Sequence, residues 1–271
     1  MTSTAKAPKT GVVKPPAEPS VEPIVLQNYL FQGLSAAELA KVLDCSTLSS
    51  EKLYSNRPVY TAYRPGVSLE FLYLVVSGGP VVVRSSPLDR IIALHYPGGC
   101  FGFGSLSIGF GKISLGFPSL VEAYKTTDVL KIPVKAVQRL YETQERFRDR
   151  YNLLFELHEK FQYHLLNCGA YPPQAVATLF RGLIYQERDL GNQPDHSGVY
   201  TFDLPIDIIA RTSQLNHRTV EQVLQGMEQN QSIETARSSD LSGDTIRVLN
   251  AEAMKEVYST TRGKVQWWPL K

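Results

Sequence analysis

The sequence predicts an α+β chain in which a small all-β unit, a long helix and a C-terminal helical unit closed by two strands follow one another. Three observations carry this. Between Val59 and Ile132, short β-branched and aromatic runs such as "LEFLYLVVSGGPVVVR" and "RIIALHYPGG" are broken by Gly, Pro and Asp. From Phe147 to Cys168 apolar residues recur at alternating spacings of four and three. After Pro205 two short helical patterns meet at the polar turn "TSQL".

Each element has a local cause. Residues 1–22 are rich in Pro, Lys, Ser and Thr and carry almost nothing to bury, so they are expected to be a disordered tail. "LQNYLFQGLSAAELAKVLD" reads as a helix, with Ser35 and Glu38 at capping-box spacing and Leu39, Val42 and Leu43 on one face. The β runs then fill a sandwich or roll, residues 23–133 forming the first unit. Residues 134–168 form the long helix, whose seam is Phe147, Tyr151, Leu154, His158, Phe161 and Leu165. A self-complementary seam points to a second copy of the chain; packing on its own β unit is the other reading. "CGAYPP" stops that helix, and residues 169–258 form the C-terminal unit, followed by a tail, 259–271. Trp267 and Trp268 in the tail are either a docking patch or folded back on the chain.

Bulk properties exclude more than they assign. A net charge of +2 over 271 residues offers no broad field for nucleic acid or membrane. Cys45, Cys100 and Cys168 are scattered, with no paired spacing, so neither a disulfide framework nor a metal site is expected. No apolar run is long enough to span a membrane, and a cytoplasmic location is expected.

The segment "LPIDIIARTSQLNHRTVEQVLQGME" has helix-turn-helix spacing. Asn216 can cap the second helix, and Val220, Val223, Leu224 and Met227 form its buried stripe. His217, Arg218, Glu221 and Gln222 then project from its first turns, where such a helix enters the DNA major groove. Arg reads guanine, Gln adenine, and Glu accepts from cytosine. Asn216 and Thr219 suit phosphate contacts. "SIETARSSDLSGDTIRVLN" reads as two strands around a turn, a wing with Arg237 and Arg247 as candidate backbone contacts.

The order of these parts resembles the transcription factors of the cyclic AMP receptor protein and fumarate-nitrate regulator (CRP/FNR) superfamily. The matching stretches are "LFQGLSAAELAKVL", "LEFLYLVVSGGPVVV", "DVLKIPVKAVQRL" and "IIARTSQLNHRTVEQVLQGME". The resemblance implies a cyclic-nucleotide-binding-like β-roll, a dimerisation helix and a winged helix-turn-helix. It implies a non-enzymatic, homodimeric regulator that binds double-stranded DNA, with RNA polymerase or another regulatory protein as a further partner. The competing reading is a degenerate sensor acting as an adaptor dimer.

Two departures qualify the resemblance. Gln214 stands where the turn between the helices usually carries Gly. "GGCFGFGSL" falls where the family keeps its phosphate-binding cassette, yet Gly102, Phe103, Gly104, Ser105, Phe117 and Pro118 supply no carboxylate and no guanidinium. Without these groups the charge-assisted contacts to a cyclic phosphate are lost, so cyclic AMP is not expected to bind, and no cofactor is expected. The phenylalanines either fill a collapsed pocket or line one for an apolar effector.

Overall fold

A computed structural model describes residues 21–55, 57–62, 70–85, 90–102, 119–166, 171–236, 245–259, 265 and 267–268. It begins with helix α1 (Val21–Gln27), a short turn of 3₁₀ helix and α2 (Ala36–Val42). The helix expected across "LQNYLFQGLSAAELAKVLD" is thus divided. Asn28 interrupts it by accepting from the Leu30 N–H and donating to the Gly98 and Gly99 carbonyls. Ser35 and Glu38 form the reciprocal capping box of α2. The helical turn begins at Val21, so the last two residues assigned to the tail belong to α1.

Among the described residues eight strands follow: β1 (Ser49–Leu53), β2 (Pro58–Ala62), β3 (Phe71–Ser77), β4 (Val81–Ser85), β5 (Arg90–His95), β6 (Cys100–Phe101), β7 (Ser119–Ala123) and β8 (Thr127–Pro133). They pair antiparallel in two four-stranded sheets, ordered β1-β8-β3-β6 and β2-β7-β4-β5. Val75, Val81, Val83, Ile92, Phe101, Val121 and Val129 fill the space between the sheets. β5 is buried at all six positions. Ile92 and Ala93 belong to the roll interior, whereas Ile91 and Leu94 belong to a core shared with the C-terminal unit.

The long helix is two helices, α3 (Val134–Thr143) and α4 (Glu145–Leu166), broken at Gln144, whose backbone is extended. The six seam residues lie on α4, and the single chain turns their stripe inward. Phe147, Tyr151 and Leu154 pack with Phe31, Leu72 and Leu130 of the first unit. Phe161 and Leu165 pack with the C-terminal unit. His158 stacks on His95, with ring centroids 5.8 Å apart. The outward positions Asp149, Asn152, Glu156, Glu159 and Lys160 are polar. The seam expected to face a second copy is therefore occupied within one chain, because a stripe of this width satisfies the roll and the C-terminal unit in turn.

The C-terminal unit contains α5 (Pro172–Asp189), β9 (Tyr200–Asp203), α6 (Ile206–Ser213), α7 (His217–Gln229), β10 (Ile233–Ala236), β11 (Thr245–Val248) and α8 (Ala251–Ser259). The two prolines open α5, where their missing N–H groups cost nothing. Its sheet has the order β10-β11-β9. At Gly182, α5 lies so close to α4 that an added Cβ would sit 2.8 Å from the Phe161 ring. Polar contacts join this unit to the roll. The Arg90 Nε–H donates to the Thr212 carbonyl at 3.2 Å, and the Tyr96 hydroxyl to the Asp203 carbonyl at 3.0 Å. The buried Glu122 carboxylate accepts from Arg84 at 2.7 Å and Arg211 at 3.4 Å.

Candidate nucleic-acid interface

Three hydrophobic elements hold α7 in place. Val220, Val223, Leu224 and Met227 are buried in one core with Ile208 and Ile209 of α6 and Ile233 and Val248 of the small sheet. Asn216 caps the helix, its Oδ1 accepting the Thr219 N–H at 2.8 Å. With that stripe fixed, His217, Arg218, Glu221 and Gln222 fall on the opposite, exposed face, and Thr219 is half-buried beside them.

The turn into this helix has a distinct conformation. Gln214 takes φ 58° and ψ 36°, the left-handed region, and its N–H caps α6 on the Ala210 carbonyl. The Gln214 amide donates to the Arg211 carbonyl at 3.1 Å. Only in this conformation does the chain reverse from α6 into α7 within three residues, which is why Gly suits the position.

Ionisable groups of α6 reach the exposed face of α7. His217 Nε2 lies 3.4 Å from Asp207 Oδ1, and Asp207 Oδ2 lies 3.5 Å from Arg211. Because Arg211 also meets Glu122, a chain of ionisable groups runs from the roll to His217 at the start of α7. Neither Asp207 nor Arg211 was expected in the site; contacts across a turn have no periodic signature. Gln225 is also exposed, one turn beyond Glu221 and Gln222, and helical spacing alone would have included it.

The wing strands β10 and β11 are present, and Arg247 is tied to Glu234 on the neighbouring strand in an ion pair. Arg247 is thus engaged within the protein. Arg237 lies outside the described residues. The tail's Trp268 is buried in the core of this unit, and Trp267 lies against Gly226, where an added Cβ would meet its ring at 2.3 Å. The pair folds back rather than presenting a patch.

Of the cassette residues, Gly102 is described, with φ 107°, while Phe103, Gly104, Ser105, Phe117 and Pro118 lie outside the described residues. Just before them, Phe101 is buried and stacks on Tyr73 with centroids 4.8 Å apart. Burial raises the Cys100 thiol well above its ordinary pKa, which removes the thiolate a redox sensor requires. Among the described residues no group of three or more His, Cys, Asp or Glu could hold a metal, and no helix is long and apolar enough to cross a membrane.

A two-sheet β-roll, a helix running along it and a winged helix-turn-helix, in that order, make up the fold of the CRP/FNR transcription regulators, and the chain has that fold. It is similar to FixK2 from Bradyrhizobium japonicum, with 16% identity and a TM-score of 0.56 over 78% of this chain and 97% of that one. It is equally similar to a double mutant of CooA from Carboxydothermus hydrogenoformans, with 16% identity and a TM-score of 0.56 over 87% and 94%. No known family profile matches the chain, and no curated protein does. What is shared at this identity is the fold.

Proposed function

We propose that the chain is a transcriptional regulator that reads double-stranded DNA with α7 in the major groove, two copies engaging two-fold-related half-sites. The observation that carries this is the exposed first half of α7. Arg218 and Gln222 stand clear of a fully buried stripe, on a helix whose N-terminus is capped and whose orientation is fixed by its core. The two-copy reading rests on the half-site geometry of such units. The adaptor reading loses its support from the tail, because Trp267 and Trp268 are occupied within the chain.

Selection of bound sequences from random DNA, followed by gel shift at moderate salt, tests the reading. A recovered motif with two-fold symmetry, bound by two chains per duplex in sedimentation, is expected. Non-specific binding alone, or one chain per duplex, overturns it. The cassette chemistry further predicts that cyclic AMP leaves both melting temperature and DNA affinity unchanged; saturable stabilisation by micromolar nucleotide would refute that part.

A further inference from the structure

Where α4, α5 and the end of α8 come together they border a pocket of about 300 Å³. Leu157 and Phe161 of α4, both buried, give it an apolar lining with the rings of Tyr185 on α5 and Tyr258 on α8. Gly182 lets the Phe161 ring lie against α5, where an added Cβ would stand 2.8 Å from it. The volume is at the small end of those that hold an organic ligand.

The charge of the lining has one sign. Lys160 and Arg181 both line the pocket, and none of the described residues that do so is Asp or Glu. The two cations differ in what they are already bound to. The Lys160 ammonium is paired at 2.6 Å with Glu156, one turn away on its own helix. The Arg181 guanidinium lies over the Tyr258 ring, 4.2 Å from its centroid. Among the described residues no carboxylate or carbonyl pairs with Arg181. A ring face attracts a cation but does not satisfy its N–H donors, so the guanidinium is held in place with its hydrogen-bonding capacity unspent. Arg181 is partly exposed, and Tyr185 beside it is half-exposed. A guanidinium with free donors at the edge of an apolar pocket suits a carboxylate, which it can meet with two parallel N–H bonds.

We propose that this pocket binds a small aromatic carboxylate, its carboxylate on Arg181 and its ring against Leu157, Phe161 and Tyr185. Because the walls come from α4 on one side and from α5 and α8 on the other, such a ligand favours the arrangement in which the long helix and the C-terminal unit are packed together. Binding is independent of whether the chain reads DNA, and is tested by itself.

Benzoate and benzylamine share a ring and carry opposite charges, and acetate keeps the carboxylate without the ring. Calorimetry on the full chain at neutral pH is expected to show benzoate binding at one site per chain, at least about tenfold tighter than either of the others. Arg181→Gln removes the charge and the paired donors, and is expected to weaken benzoate about tenfold. In the ¹⁵N-arginine-labelled parent chain, the Arg181 Nε resonance is expected to move on titration with benzoate and not with benzylamine, so the proposal can fail even where the variant does not fold. Benzylamine or acetate matching benzoate, no saturable benzoate binding, unchanged affinity in folded Arg181→Gln, or an unmoved Arg181 resonance overturns it.

Discussion

At Gln214 the backbone requirement and the side chain disagree. The turn between α6 and α7 needs a left-handed residue, a conformation that is strained for a side chain with a Cβ and free of strain for Gly. Gln214→Gly is therefore expected to raise stability by about 0.5–1 kcal/mol, read as a higher melting temperature. The substitution removes the exposed hydrogen bond from the Gln214 amide to the Arg211 carbonyl, so an unchanged or lower melting temperature would show that this bond outweighs the strain. Arg218 poses the complementary case, a side chain to which the proposed reading gives a function. It is exposed, so Arg218→Ala is expected to leave folding intact. On DNA it is expected to cost about 1–3 kcal/mol and to relax preference at one base pair, as measured by binding to a panel of single-base variants of the selected site. A uniform loss across the panel would assign Arg218 to phosphate instead.

α4 shows how far the pattern of an element reaches. The four-and-three spacing correctly marks Phe147, Tyr151, Leu154, Phe161 and Leu165 as buried, but spacing does not name the surface that buries them. In the single chain that surface is the roll for one half and the C-terminal unit for the other. Phe161→Ala is accordingly expected to destabilise the chain by about 3–5 kcal/mol. The loss caused by Phe161→Ala, followed by circular dichroism, is expected to be the same at micromolar and at hundred-micromolar protein, whether or not two copies associate elsewhere; a loss that grows with concentration would return the stripe to a dimer interface. The same limit explains which other elements were legible. Periodicity and start signals marked α2, α6 and α7, because each has an apolar face and a recognisable start. β1 escaped, since Ser49–Leu53 is polar and exposed at four of its five positions, and its place in the sheet is set by pairing with β8. α8 escaped although its start signal is present: the Asn250 side chain accepts the Ala253 N–H at 3.0 Å. In the site, the exposed face of α7 was readable from its buried stripe, whereas Asp207 and Arg211 join it only through the turn.

Across the whole molecule, the roll, α4 and the C-terminal unit meet at His95 and His158, and this makes stability depend on pH in a definite direction. Both imidazoles are held neutral by burial, and His158 adds a like-charge penalty at His95, so their titration falls to about 3 and about 4 from an ordinary 6.5. In the unfolded chain they are in water and take up protons as the pH falls through about 6.5. Below that pH the unfolded state binds protons that the folded state refuses, so stability rises with pH across this window and is lost as pH falls. The slope reaches about 1.4 kcal/mol per pH unit for each proton, hence about 2.7 for the pair between roughly pH 6 and pH 5. His95→Phe keeps the ring at the junction, where Phe101 and His158 already lie beside it, while removing one of the two protons. Urea unfolding at half-unit steps from pH 7.5 to pH 5 is expected to show, between roughly pH 6 and pH 5, a slope for this variant lower than that of the parent chain by roughly 1.4 kcal/mol per pH unit. If the two slopes coincide, His95 is already protonated in the folded protein, and the junction is more open to water than the packing of its rings indicates.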